Sequence, residues 1–125
     1  MAMIAATVFS AYRYAIHVYP LYIYTRYRYN DSVIKTFGDH ETEKIFNQVI
    51  SKAFSRDMQK IALRKLIMLD NALSMDDLRI PPSNHLEKLK GDRKNQYSIR
   101  VNKQYRICFR IVNNDYYDVT IVDYH

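Results

Sequence analysis

From Val33 onward the apolar residues follow two periods, first of three to four and then of two. Val33 to Phe37 is a short β-branched and aromatic run that predicts an edge strand. Asp39 stands where a helix cap belongs. After it Ile45, Phe46, Val49, Ile50 and Ala53 recur at three and four residues, which makes one face of a first helix. Ser55 offers the cap of a second, longer helix. Its stripe is Met58, Ile61, Ala62, Leu66, Leu69 and Leu73, with Lys60, Arg64, Lys65 and Asp70 outside it. The short connection predicts an antiparallel pair, and both stripes read as core. Ser74 to Lys94 has no period, and Pro81 and Pro82 remove two successive amide donors and hold the chain extended.

Alternation then takes over. Tyr97, Ile99 and Val101 alternate with Ser98 and Arg100. After a turn at Asn102 and Lys103, Tyr105, Ile107, Phe109 and Ile111 alternate with Arg106, Cys108 and Arg110. A turn at Asn113, Asn114 and Asp115 leads to a last strand, Tyr116 to Tyr124, with Tyr117, Val119 and Ile121 on one face. Two short turns predict a three-stranded antiparallel meander. Side chains two apart share a face, so Arg106 and Arg110 point together, away from Tyr105, Ile107 and Phe109. The apolar face should pack on the helices. The arginine face should be open, and Arg106 should add little to stability. Two uses of that face stand side by side: phosphate binding, or plain solvation.

Composition sharpens this only in part. The chain of 125 residues carries 19 Lys and Arg against 13 Asp and Glu, a net charge of +6. That leaves room for one domain, with two or three helices on one sheet, and fits a polyanionic partner without requiring one. Cys108 is the single cysteine, which excludes an intrachain disulfide and a cysteine-built metal site. His17, His40, His85 and His125 are spaced like no zinc site. The apolar start, Met1 to Ala11, lacks a basic leader and breaks at Arg13, short of a membrane span. A cytoplasmic protein without cofactor or membrane partner is the expectation.

Residues 1–32 read differently from the rest. They hold seven of the twelve tyrosines, and their charged side chains up to residue 30 are Arg13, Arg26 and Arg28. An aggregation-prone edge strand, a cationic stacking platform for single-stranded RNA, and a translated upstream stretch all fit this composition. The last is favoured, with residues 1–32 an atypical extension and residues 33–125 the domain.

Several ordered motifs within those residues resemble the HigB branch of the RelE-type toxins. They are IKTF at Ile34 to Phe37, DLRIPP at Asp77 to Pro82, LEKLKGDRKNQYSIRVNKQYRICFRI at Leu86 to Ile111, and YYDVTIVDYH at Tyr116 to His125. The resemblance implies an α+β fold, two N-terminal helices packed on a small, mainly antiparallel sheet. It implies a ribosome-dependent, metal-independent mRNA endoribonuclease that cuts in the A site. It further implies a HigA-like helix-turn-helix antitoxin, with operator DNA reached only through the toxin–antitoxin complex.

Carried over residue by residue, Lys90 matches the active-site loop lysine of the family. Arg106 matches the arginine assigned to the RNA phosphate, and Asp123, Tyr124 and His125 match the closing triplet that supplies catalytic groups. Relatives have histidine where this chain has Glu87, with His85 two positions further back, and glycine where it has Asn95. Metal-free RNA cleavage uses the substrate's 2′-hydroxyl, so it needs a base, an acid and cations on the phosphorane. Lys90 and Arg106 fit the cationic role. His125 is the leading proton-transfer group, since an unperturbed imidazole titrates at roughly 6.5, with Asp123, Glu87 and Tyr124 in competition for the other role. Lys88, Arg93, Lys94, Arg100 and Arg110 are the expected RNA-binding cations. The rival reading is a non-catalytic basic module that binds RNA or an antitoxin or repressor partner.

Overall fold

The computed structural model describes residues 33–91 and 95–124. Expectations that fall on residues 1–32, on Asp92, Arg93 and Lys94, or on His125 lie outside the described residues.

Helix α1 is His40–Phe46, and its cap is also its joint to the sheet. Asp39 Oδ1 accepts from Thr42 N at 2.7 Å, and Asp39 Oδ2 accepts from the hydroxyls of Thr42 and Thr120. Thr42 Oγ1 in turn accepts from Ile121 N at 2.9 Å. The helix ends at Phe46, seven residues before the predicted stripe does. Gln48 adopts φ 63°, Gln48 N donates to Ile45 O, and Val49 N donates to Lys44 O, the paired bonds of a Schellman ending. Val49 and Ile50 are therefore exposed rather than core.

Helix α2 is Arg56–Asp70, capped by Ser55 Oγ, which accepts from Met58 N at 3.2 Å. Met58, Ala62, Leu66 and Leu69 are buried as the stripe predicts, but Leu73 lies past the end of the helix and is exposed. Asp70, placed outside the stripe by its charge, is instead fully buried. Its Oδ1 accepts from Val33 N and Ile34 N, each at 3.0 Å, which holds the first described residues to the end of α2. The segment expected to be irregular contains a short helix α3, Met75–Arg79, a 3-10 turn at Pro82–Asn84, and a two-residue strand β1, Glu87–Lys88.

Strand β1 adds a fourth strand to the predicted meander. The sheet runs β1–β2–β3–β4, each neighbour antiparallel, with β2 at Gln96–Arg100, β3 at Tyr105–Val112 and β4 at Asp115–Asp123. Segment 33–37 lies along β4, as an edge, through two isolated parallel bridges, Ile34 with Tyr116 and Phe37 with Val119. Ile99, Ile107, Phe109, Val119 and Ile121 form one core with Ile45, Phe46 and the α2 stripe. The architecture is α+β.

Strand β4 departs from simple alternation. Its register against β3 shifts between Cys108 and Arg110, and Asp118 takes φ 55° in a β-bulge. One extra residue reverses the parity beyond it, so Tyr116 and not Tyr117 enters the core. The Tyr116 ring meets Phe109 edge-on at 5.1 Å, and its burial, with the charge of Asp77 second, pushes the phenol up to about 12. No helix among the described residues is long and apolar enough to cross a membrane.

Candidate active site

On the sheet face away from the helices, cross-strand partners fall into rows. Glu87, Ser98, Cys108 and Thr120 make one, and Arg100, Arg106 and Val122 the next. Two arginines directly opposite each other repel unless their heads diverge. Here they do. Arg100 Nε donates to Asn102 O at 3.1 Å, toward the β2–β3 turn. Arg106 turns the other way, with Nε donating to Ser98 Oγ at 2.7 Å and Nη2 to Ser98 O at 3.2 Å and to His85 O.

This corrects the expectation of an open arginine face. The Arg106 side chain is only 9% exposed, because the 85–87 segment crosses over it. Removing it would leave acceptors without their donors, so it contributes to stability as well. Three of its five N–H groups are held inside the protein, which leaves the two on Nη1. Nη1 lies 3.9 Å from Glu87 Oε1, whose side chain is 57% exposed. The Tyr124 ring sits 5.7 Å from the guanidinium carbon. Arg106 is thus a fixed cation with two donors turned to a half-open carboxylate and an aromatic ring.

Local sequence explains how each part arrives. Asn102 Oδ1 accepts from Gln104 N and Tyr105 N, both at 2.8 Å, and closes the β2–β3 turn. Gln104 O accepts from Tyr124 N at 2.7 Å, while Gln104 Nε2 donates to Asp123 Oδ2 at 3.0 Å, so this turn holds the chain end beside Arg106. On the other side His85 adopts φ 41°, which aims its carbonyl at Arg106. Asn84 fixes that bend from within the core. It is fully buried, donates to Leu78 O at 3.0 Å and accepts from Lys65 Nζ at 2.6 Å. Partial burial lowers the pKa of Lys65.

His85, Glu87, Arg100, Asn102, Lys103, Arg106 and Tyr124 line one polar cleft of about 350 Å³. Of the residues singled out from sequence, it therefore unites Arg106, Glu87, Tyr124 and Arg100. Asp123 pairs with Tyr105, so alternation puts it on the opposite face, where it accepts from Gln104 Nε2. Lys90 does not line it. This exposed lysine sits in the β1–β2 connection, at the end of β2 where Gln96 pairs with Arg110. Lys88 pairs with Tyr97, and alternation puts it on the face opposite Glu87. Arg110 shares the Arg106 face but binds Asp118 Oδ2 at 3.1 Å. Arg93, Lys94 and His125 are outside the described residues. Ser98, Asn84 and Lys103 were missed, since nothing local marks a serine or asparagine whose partner is remote in the chain. Among the described residues no three His, Cys, Asp or Glu side chains converge to hold a metal.

A family model described as the RelE-like toxin of the type II toxin–antitoxin system HigB matches residues 27–125. The chain belongs to this HigB-like toxin family. It is 50% identical to Toxin HigB-1 of Vibrio cholerae over 56 residues, 45% of this chain and 59% of that protein. It is 46% identical to an uncharacterized protein of Haemophilus influenzae over 59 residues, 47% of this chain and 58% of that protein. The matches to these two relatives thus span less than two thirds of their lengths. To the Endoribonuclease HigB of Proteus vulgaris it is 33% identical over 94 residues, 74% of this chain and all of that protein. The cleft around Arg106 lies within the span that the HigB-like family model covers.

Proposed function

We propose that this chain is an endoribonuclease toxin that cuts mRNA in the ribosomal A site, without a metal, and that residues 33–125 are the toxin domain. The observation that carries the reading is Arg106, immobilised by Ser98 and His85 with Nη1 turned into a polar cleft. Preorganised donors of this kind stabilise charge that develops in a transition state, and they do so without reorganising. Family membership and the name of the Proteus vulgaris relative support the same reading.

In the reaction the substrate's 2′-oxygen attacks the neighbouring phosphorus and loses its proton to a base. The bond from phosphorus to the 5′-oxygen breaks, and an acid protonates that oxygen. The products are a 2′,3′-cyclic phosphate and a 5′-hydroxyl. Arg106, with Arg100 in the same cleft, takes the charge on the non-bridging oxygens, and Lys90, outside the cleft, meets the RNA backbone from its loop. In this reading Glu87 is the base and His125, with Tyr124 next to it in the chain, is the acid, while Asp123 serves the site by tying β4 to Gln104. Each positioned proton-transfer group is worth about 10²- to 10⁴-fold. Lys88, Arg93, Lys94 and Arg110 contribute to RNA binding. The protein works in the cytoplasm and is silenced by a helix-turn-helix antitoxin of the HigA kind, through which it reaches operator DNA.

Brief induction of the full chain, followed by primer extension on translated mRNA, tests this. Codon-phased cuts that vanish when translation is blocked are expected. Growth arrest with intact mRNA would overturn the enzyme in favour of a non-catalytic binding module.

A further inference from the structure

Arg106 shares its face of β3 with a second arginine that the cleft does not use. Arg110 lies two pleat repeats further along the strand, on the order of 13 Å away at the rise of a β-strand. Its guanidinium carbon is 5.1 Å from the Tyr117 ring centre, and its Nε is 3.1 Å from Asp118 Oδ2. The strand thus presents two arginine–tyrosine pairs on one face, Arg106 with Tyr124 and Arg110 with Tyr117.

The second pair exists because of the bulge. In a regular β4, Tyr117 would point to the helices and Tyr116 away from them. A tyrosine faces each side either way; what the bulge changes is the register, which sets Tyr117 instead of Asp118 opposite Arg110. Asp118 holds a left-handed φ of 55°, which is unfavourable for a residue with a side chain. Neighbouring contacts keep it there. Asp118 N donates to Thr36 Oγ1 at 2.8 Å and Val119 N to Thr36 O at 3.1 Å. A side chain at Gly38 would come within 3.1 Å of Asp118 O and 3.0 Å of Thr120 Cβ. A maintained strain that re-aims a side chain on the outer face of a sheet is a pointer to binding.

We propose that Tyr117 and Arg110 form a second RNA subsite, which stacks the base of a nucleotide flanking the cut on the same mRNA strand. A half-exposed ring backed by a guanidinium is a flat, cationic platform that any nucleobase accepts. Asp118 occupies Nε and so orients the guanidinium, leaving its two terminal nitrogens to meet the RNA. The inference rests on the endoribonuclease reading and deepens it.

The test uses the full chain and an mRNA whose cut site is mapped on programmed ribosomes, with single abasic nucleotides placed along the positions that flank the cut. Tyr117→Leu keeps apolar bulk and loses the ring face, Tyr117→Phe keeps both, and Arg110→Gln removes the guanidinium if the leucine variant fails to fold. Tyr117→Leu should raise the toxin concentration for half-maximal single-turnover cleavage about 10-fold, with a smaller effect on the saturated rate, and Tyr117→Phe should restore it. One abasic position should weaken the wild type equally and add nothing to Tyr117→Leu. A leucine variant that matches the wild type overturns the subsite and leaves the cleavage reading intact. Effects that add at every abasic position also overturn it, since the ring then contacts ribosomal RNA or a protein instead. A wild type that cuts no mRNA defeats both readings.

Discussion

Replacing Asn84 with alanine removes a side chain that no solvent reaches and that three elements share. Leu78 O loses the donor at 3.0 Å in a closed site, and Asn84 Nδ2 no longer meets Met68 Sδ at 3.2 Å. An acceptor stranded in this way costs about 1–3 kcal/mol. Lys65 Nζ loses its acceptor at 2.6 Å, but it is only half-buried, so water replaces most of that bond. Asn84→Ala should therefore cost about 2 kcal/mol, which for a domain of this size lowers the thermal midpoint by roughly 10 °C. Its second effect is at the cleft. His85 follows Asn84 directly, and its carbonyl holds Arg106 Nη2, so relaxing the bend frees the guanidinium. Urea melts and single-turnover cleavage well below the midpoint measure both effects. An unchanged midpoint would show that the bend does not depend on Asn84. A folded variant that cleaves at the wild-type rate would show that the His85 carbonyl does not position Arg106.

The acid limb of stability should depend on Ser51. Its hydroxyl donates to Glu41 Oε1 at 2.6 Å, and this bond, followed by that from Lys44, holds the carboxyl below its ordinary value of 4.5. A carboxylate with a lowered folded pKa contributes stability above 4.5 and loses it as pH falls through the folded value. Ser51→Ala should flatten that loss in urea midpoints followed into acid, and an identical limb would refute the assignment. A chain that starts at Val33, led by methionine, should fold and keep its toxicity, because Val33 N and Ile34 N are already held by Asp70. Failure to fold would place part of the domain upstream.

Much of this fold is legible wherever the cause is local. Asp39 and Ser55 cap helices because their side chains reach amides three residues on, and that spacing is visible in the chain. The alternation of β2 and β3 assigns Ile99, Ile107 and Phe109 to the core without help. The misses have remote or conformational causes. Helix α1 ends at a glutamine in a left-handed conformation, and no glycine announces it. Asp70 is buried because its partners lie 36 and 37 residues away. Tyr116 and Tyr117 exchange faces because one residue of β4 bulges, and neither composition nor period marks that residue. At the site, Arg106 and its direction come from strand parity. Its burial comes from the 85–87 crossing, which two prolines and a two-residue strand conceal in the sequence.

In the proposed reaction Arg106 is a fixed cation that turns Nη1 to the phosphate of the cleaved RNA while Nε and Nη2 stay on Ser98 and His85. Arg106→Lys retains the charge and loses the guanidinium that Ser98 and His85 hold in place, so it separates a positioned cation from mere basicity. Single-turnover cleavage of a mapped mRNA on programmed ribosomes, beside circular dichroism of the variant, reads it directly. The variant should fold and cut about 10²-fold more slowly or worse. A folded Arg106→Lys protein that cuts as fast as the wild type would contradict it.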